Sequence, residues 1–168
     1  RYVVPFKDDV QSRTSKLCFV SEILEQWVQV QSMWMYLEAV FTSGDIAKQM
    51  PQEAKRFTQV DRLWRKVMSQ TEQKPNVLMA TSTEGMLESW QEANRLLELI
   101  QKGLNDYLEA KRLSFARLFF LSNDELLQIL SETKDPLRVQ PHLKKCFEGI
   151  AKLDFTQELI IRGMSSVE

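Results

Sequence analysis

The sequence predicts a mainly α fold: an elongated helical bundle with a minor, short β element near residues 115–121 and 158–165. Large apolar side chains recur every three or four residues over long stretches, which is the spacing of one face of an α-helix. Gly and Pro are scarce, with five of each among 168 residues, and most of them fall between these stretches. Because these two residues tend to end helices, the chain divides into five helical segments and two short extended ones.

Composition limits the classes of protein to which the chain can belong. It is 43% hydrophobic and 27% charged, an ordinary balance for a globular chain. The 22 basic and 23 acidic residues leave a net charge of −1, so no overall field favours nucleic acid or an anionic membrane. Apolar runs such as 118–121 are far too short to span a bilayer, and residues 1–20 contain no secretory signal. We therefore expect neither a nucleic-acid nor a membrane partner.

The cysteines and the first residues of the sequence suggest the cellular compartment and the extent of the domain. Cys18 and Cys146 stand alone, and we expect both to be reduced, buried thiols of a cytoplasmic protein. The sequence starts at Arg1 without Met, which favours a piece of a longer protein. Its length suits one domain or two small ones sharing a core, and we expect no second independent domain within 1–168. Residues 1–14 are mixed and polar and are expected to be frayed or poorly ordered.

Two helices are predicted in the first half. The first runs from Ser15 to Val40 and ends before Gly44. Its predicted buried stripe consists of Leu17, Val20, Leu24, Trp27, Val30, Trp34, Leu37 and Phe41. The second begins at Pro51, which suits a first helical turn, and the pattern breaks at Pro75. Its stripe consists of Phe57, Val60, Trp64 and either Val67 or Met68.

A third helix is predicted from Thr83 to about Arg112. Its apolar face consists of Met86, Trp90, Ala93, Leu97, Ile100, Leu104 and Leu108. Its solvent face is marked by Glu88, Arg95, Lys102 and Asp106. Leu96 and Leu99 fall outside the apolar face, so the helix either packs between two layers, which we favour, or presents a surface to a partner.

Residues 114–130 combine an apolar run with a clear helix start. The letters FARLFFL (115–121) contain one charge and three aromatics, and they predict a short, mostly buried extended segment. Ser122 and Glu125 then form the S-x-x-E capping box, in which each side chain binds the other residue's backbone N–H. The stripe of the helix that follows consists of Leu126, Leu127, Ile129 and Leu130.

The last part of the chain predicts one more helix and an extended end. The helix begins near Val139 or Pro141, and its stripe consists of Leu143, Cys146, Phe147 and Ile150. Residues 153–166 then favour extended backbone. We find no internal repeat of the length used by helical solenoids.

A search for chemistry in the sequence is negative. His142 and Cys146, four apart on a predicted helix, could in principle activate a thiolate, but no orienting third group or nucleophile motif accompanies them. One histidine and two lone cysteines make none of the common zinc patterns, and the glycine-rich phosphate-binding motifs are absent. The basic clusters Arg62–Arg65–Lys66 and Lys144–Lys145 are small and interleaved with acids. We therefore predict no catalytic, cofactor-binding or metal-binding residue, no cofactor, and a helical structural or interaction element.

The sequence resembles the dynein heavy chain, in the linker region that precedes its AAA+ ring, over about residues 25–168. Three segments in the family's order carry the resemblance. The first, W-x6-W-x-Y-L-E, consists of Trp27, Trp34, Tyr36, Leu37 and Glu38. The second, V-D-x-x-W-R, consists of Val60, Asp61, Trp64 and Arg65. The third, I-Q-K-G-L-x-x-Y-L-E-x-K-R, runs from Ile100 to Arg112. The sequence of residues 119–150 is more similar to axonemal than to cytoplasmic heavy chains.

The resemblance implies a non-catalytic mechanical element. In that family the linker is a helical rod arched over six AAA+ modules, and ATP turnover in the ring bends and straightens it. ATP and Mg would be bound elsewhere in the parent motor. The implied partners are the AAA+ ring of the same heavy chain and the remaining linker and tail segments. Intermediate and light chains and microtubules would be reached only through the parent protein.

The same resemblance implies a cytoplasmic, cytoskeletal location, which is the axoneme of a cilium or flagellum if the axonemal assignment holds. The alternative function is a helical protein-binding scaffold without a force-generating role. Partner-binding residues are not identifiable from the sequence.

Overall fold

A computed structural model of the chain describes residues 4–42, 45–131 and 135–166. The described α-helices are α1 (Lys7–Thr42), α2 (Asp45–Gln49), α3 (Pro51–Gln73), α4 (Val77–Ala80), α5 (Met86–Ser114), α6 (Asn123–Ser131) and α7 (Leu143–Cys146). Short 3-10 helices cover Val4–Phe6, Ala116–Phe120 and Pro136–His142. Two antiparallel strands, β1 (Lys152–Phe155) and β2 (Ile161–Ser165), form a hairpin. The mainly α class with a minor β element is confirmed.

The chain divides into two compact units. Unit 1 comprises Arg1–Leu37 and Lys55–Ile100, and unit 2 comprises Glu38–Ala54 and Gln101–Glu168. Within the parts that the structure describes, no helix is apolar over a length that could cross a membrane.

Unit 1 has a core built from large apolar side chains of three helices. The buried residues of α1 in this unit are Ile23, Trp27, Val30 and Leu37. Those of α3 are Phe57, Val60, Trp64 and Val67, and those of α5 are Met86, Trp90, Ala93, Leu97 and Ile100. The stripes predicted for α3 and α5 are therefore confirmed. In α1 the prediction was partly wrong, because Leu17 is 61% exposed and Leu24 37% exposed while Ile23 is fully buried.

Unit 2 combines helix ends with irregular backbone and the hairpin. Its described core comprises Val40, Phe41, Ile46, Met50, Leu104, Leu108, Leu121, Leu126, Leu127, His142, Leu143 and Cys146. In the hairpin Leu153 pairs with Met164 and Asp154 with Gly163. The register then shifts, so that Phe155 pairs with Ile161.

The largest correction concerns residues 115–121, which were predicted to be extended and mostly buried. The backbone of Ala116–Phe120 is a 3-10 helix, and Phe119 and Phe120 are 56% and 68% exposed. Only Leu121 of this run is buried. The second predicted β position is confirmed, since β2 lies within 158–165. A short run of aromatics is typical of a strand, but no partner strand lies beside this one among the described residues.

Helix boundaries differ from the predictions by a few residues. Helix α1 begins at Lys7 instead of Ser15, so residues 7–14 are helical, with exposed side chains. Helix α5 begins at Met86 instead of Thr83, after Gly85 with a φ of +74°. The predicted helix near Val139 is split into a 3-10 helix and α7, which ends at Cys146.

Candidate functional site

A cluster of four tryptophans joins the three helices of unit 1. The Trp27 and Trp90 rings are stacked with centroids 5.2 Å apart, and Trp34 and Trp64 are stacked at 5.1 Å. Trp64 also meets Trp90 edge to face at 6.1 Å, which connects the two pairs. Such aromatic pairs contribute energy beyond the area that they bury. The cluster therefore fixes α1, α3 and α5 to one another within the unit.

Polar contacts fix the edge of this tryptophan cluster. The Trp34 Nε1–H donates to Asp61 Oδ1 at 3.1 Å, and Arg65 Nε donates to both Asp61 oxygens at 2.9 Å. The Arg65 guanidinium also lies 5.7 Å from the centroid of the Trp34 ring, a cation–π contact. Asn94 Nδ2 donates to Gln26, to its backbone oxygen at 3.1 Å and its Oε1 at 2.7 Å. These bonds set the register between helices that apolar packing alone would leave adjustable.

An open groove of about 800 Å³ lies beside the cluster in unit 1. Its lining includes Trp27, Trp34, Trp64, Met68 and Glu72. Among the described residues of the lining, Glu72 is the one carboxylate, and there is no histidine or cysteine.

In unit 2, Glu125 links the start of α6 to α7. The predicted capping box is present: Ser122 N donates to Glu125 Oε2 at 3.0 Å, and Glu125 N donates to Ser122 Oγ at 3.3 Å. Lys145 Nζ donates to Glu125 Oε1 at 2.5 Å, and His142 Nδ1 lies 3.8 Å from the same oxygen. Mainly because of the Lys145 bond, and then the Ser122 backbone bond, the pKa of Glu125 is lowered to about 2. This carboxylate therefore acts as a charged connector.

Three further side chains brace the irregular backbone of unit 2. Arg117 donates to the backbone oxygen of Cys146 at 2.9 Å and lies over the Phe147 ring at 4.8 Å. Arg112 donates to the backbone oxygen of Leu121 at 3.1 Å. The Gln140 amide donates to the oxygen of Leu153 and accepts from its N–H, closing the outer edge of β1. Each brace satisfies a backbone group that no helix or strand bond satisfies.

Helix α5 approaches the start of α3 closely in unit 2. A Cβ at Gly103 would lie 3.0 Å from Glu53 Oε1 and 3.1 Å from Glu53 Cγ, so glycine permits this approach. One turn further along α5, Tyr107 donates its hydroxyl hydrogen to Gln49 Oε1. Burial raises the pKa of Tyr107.

His142 and Cys146 make contacts that differ from those of a nucleophile pair. Both are buried, and His142 Nδ1 lies 3.8 Å from Glu125 Oε1. Burial raises the pKa of the Cys146 thiol, which keeps it protonated and weakly nucleophilic. Cys18 was predicted to be buried and is exposed. No group of three or more His, Cys, Asp or Glu side chains capable of holding a metal occurs among residues 4–42, 45–131 and 135–166. The absence of catalytic and cofactor residues stays a prediction.

Four large apolar side chains at the end of α5 and in the 3-10 helix that follows are exposed in the part of the chain that the structure describes. Leu113 is 72% exposed, Phe115 46%, Phe119 56% and Phe120 68%. We call these four residues the exposed aromatic segment. Concentrated exposure of large apolar side chains marks interaction surfaces more often than chance does.

The fold is mainly helical, and comparison with known proteins gives its family. The model for the family "Dynein heavy chain, N-terminal region 2" matches residues 1–168, so the chain belongs to this dynein heavy chain family. It is 55% identical over 167 residues to dynein axonemal heavy chain 12 of Homo sapiens, covering 99% of this chain and 5% of that protein. Identity to dynein axonemal heavy chain 3 of Mus musculus is 57%, and to dynein axonemal heavy chain 1 of Mus musculus 48%, each covering 99% of this chain and 4% of the relative.

These relatives confirm the resemblance and its axonemal type. The chain spans about one twentieth of the length of the relatives that it matches.

Residues of the three segments that carry the resemblance contact residues of other helices. Trp27 and Trp34 of the first segment stack against Trp90 and against Trp64 of the second segment. Gly103 and Tyr107 of the third segment contact Glu53 and Gln49. The i, i+4 spacing of Asp61 and Arg65 could have predicted their ion pair. Nothing local could have paired Lys145 with Glu125, which lies 20 positions earlier.

Proposed function

We propose that this chain is a segment of a dynein linker, a non-catalytic mechanical element of a microtubule motor. One observation carries the proposal: the aromatic, charged and glycine residues of the three segments that resemble the family join helices to one another. Trp34 and Asp61 fix α1 to α3, and Tyr107 and Gly103 fix α5 to residues 49–53. An element that transmits force must resist relative movement of its helices, and buried aromatic contacts supply that resistance.

The parent heavy chain would supply the remaining parts of the motor. ATP and Mg would bind in its AAA+ ring, and nucleotide turnover there would drive the bending of the linker. The partners would be that ring and the adjoining linker and tail segments, and other dynein chains and microtubules would act through the parent protein. Since the relatives described above are named axonemal, we place the protein in the axoneme.

The proposal is tested at Arg95, on the solvent face of α5. Arg95 makes its bidentate contact with Glu92 on the same helix, at 2.7 Å for both nitrogens, so no other element depends on it in these bonds. Arg95→Pro would remove the backbone bond to Gln91 and clash with its carbonyl, at a cost of about 3 kcal/mol or more. Arg95→Ala is the matched control, because it removes the exposed ion pair but retains the helix.

In the complete heavy chain, the proline variant should lose microtubule gliding while retaining substantial ATP turnover. The alanine variant should keep both. Wild-type gliding by a folded Arg95→Pro motor would show that α5 transmits no force, and the passive scaffold would then be the better description. The exposed aromatic segment is the feature that would serve such a scaffold.

A further inference from the structure

We propose that Ser114 is a phosphorylation site for a protein kinase that selects basic sequences, and that its phosphate displaces a bond made by Arg112. Lys111 and Arg112 lie three and two positions before this serine, and Phe115 follows it. Kinases choose substrates largely by charge pattern, and one class has acidic pockets for basic residues at these two positions and an apolar pocket for the residue after the acceptor. No acidic residue occurs within 110–123, so nothing in the flanking sequence repels such a kinase.

The serine and its neighbours are accessible on the surface of unit 2. Ser114 is exposed, and Leu113 and Phe115 on either side of it are 72% and 46% exposed. Ser114 Oγ donates to the backbone oxygen of Lys111 at 2.8 Å, a bond within its own helical turn. Ser114 is also the last residue of α5, and the ends of a helix open most readily. A kinase that binds an extended chain can therefore reach the hydroxyl by opening one turn.

The proposed reaction is a phosphoryl transfer from ATP. Ser114 Oγ forms a bond to the γ-phosphorus, while the bond between that phosphorus and the bridging oxygen of the β-phosphate breaks. ADP leaves, and the hydroxyl proton passes to the catalytic aspartate of the kinase. The phosphoserine carries about −1.5 to −2 charges at pH 7, and it lies at a helix C-terminus, where the helix dipole is already negative. Repulsion between these charges weakens the last turn of α5.

Arg112 connects this turn to the start of α6. Its Nη2 donates to the backbone oxygen of Leu121 at 3.1 Å and to Asn123 Oδ1 at 2.8 Å. Both acceptors are neutral, and a guanidinium binds a phosphate more strongly than it binds a neutral oxygen. A phosphate on Ser114, two positions after Arg112, therefore competes for this guanidinium. We expect phosphorylation to loosen the backbone over residues 115–123.

The test uses the complete heavy chain, isotope-labelled ATP and, as the probe, the catalytic subunit of cyclic-AMP-dependent protein kinase. Mass spectrometry identifies the residues that receive the label. Ser82 is the matched internal control: it is exposed and its hydroxyl donates to the backbone oxygen three positions earlier at 2.8 Å, but Met79 and Ala80 occupy the positions of the basic pair. In separate proteins, Ser114→Ala removes the acceptor, and Lys111→Gln removes one recognition charge but retains the acceptor.

We expect label at Ser114 well above that at Ser82, none at position 114 in Ser114→Ala, and an initial rate about tenfold lower in Lys111→Gln. Hydrogen exchange of the phosphorylated protein should increase over residues 115–123 and remain unchanged in α3. Label at Ser114 no higher than at Ser82, or a Lys111→Gln rate equal to that of the wild type, would overturn the site. Unchanged exchange after complete phosphorylation would overturn the displacement of the arginine. Neither measurement requires gliding, so both are independent of the test of the mechanical role.

Discussion

Trp90 offers the sharpest test of the unit 1 core, because its indole N–H is a buried polar group with no hydrogen-bond partner among the described residues. The side chain is fully buried, stacked on Trp27 and edge-on to Trp64. Trp90→Phe removes the N–H while retaining an aromatic ring in the cluster. We expect this substitution to leave the free energy of unfolding nearly unchanged.

The magnitude follows from two opposing terms. The substitution removes two carbons and the nitrogen, and the lost carbons cost about 1.6 kcal/mol at about 0.8 kcal/mol for each buried carbon. Removing a buried, unpartnered N–H returns about 1–3 kcal/mol. The net change therefore lies between a loss of about 0.6 kcal/mol and a gain of about 1.4 kcal/mol. Trp90→Ala, which empties the site, should cost about 3–5 kcal/mol.

Urea unfolding followed by far-ultraviolet circular dichroism measures both variants without relying on tryptophan emission. Trp64→Phe is the matched control. Trp64 is 7% exposed and stacked in the same cluster, and its N–H is not among the buried groups that lack a partner in the described chain. This control should lose about 1.6 kcal/mol with nothing to offset the loss. Equal losses of about 2 kcal/mol in Trp64→Phe and Trp90→Phe would refute the reasoning, since they would mean that the Trp90 N–H is satisfied.

Three further predictions concern unit 2. Ser122→Ala should lower the free energy of unfolding by about 1 kcal/mol, because it removes half of the capping box, and urea unfolding measures this loss. The pKa of Glu125 falls from 4.5 to about 2 on folding, so the stability that this group contributes is complete above pH 4.5 and is lost as the pH falls toward 2. Glu125→Gln should flatten the stability curve in that window, and an unchanged slope would contradict the assignment. Phe119→Ala should change stability by no more than about 0.5 kcal/mol, since the ring is mostly exposed, and a loss of about 3 kcal/mol would restore the buried interpretation.

Long helices with one apolar face could be predicted closely from the sequence. Helix α5 is the clearest case, because the helical period selects Trp90, Leu97 and Leu104, which are all buried. Helix α1 was harder because its apolar residues are distributed around the helix, and Val28 and Met35 remain exposed. Where the apolar pattern covers more than one face, spacing alone cannot say which face the rest of the fold covers.

Features that depend on contacts between residues far apart in the sequence could not be predicted from the sequence. The capping box was predictable because Ser122 and Glu125 are three residues apart. Within residues 115–121, Arg117 donates to the backbone oxygen of Cys146, which lies 29 positions away, while Phe119 and Phe120 are exposed. The sequence pattern predicts that a run of aromatics is core, whereas in the structure Arg117 and Leu121 lie on the inner side of the segment and Phe119 and Phe120 on the outer side.

The two units are stabilised in part by different kinds of interaction. Unit 1 has a core of aromatic and aliphatic side chains, with the Asp61–Arg65 ion pair and the Asn94–Gln26 bonds at its edge. In the irregular part of unit 2, Arg112, Arg117 and Glu125 make charge-assisted bonds to backbone groups or to a lysine. Such bonds are short-ranged and directional, and they fix backbone geometry where helix and strand bonds are few. Arg112 and Arg117 therefore hold the backbone around the exposed aromatic segment in a defined conformation.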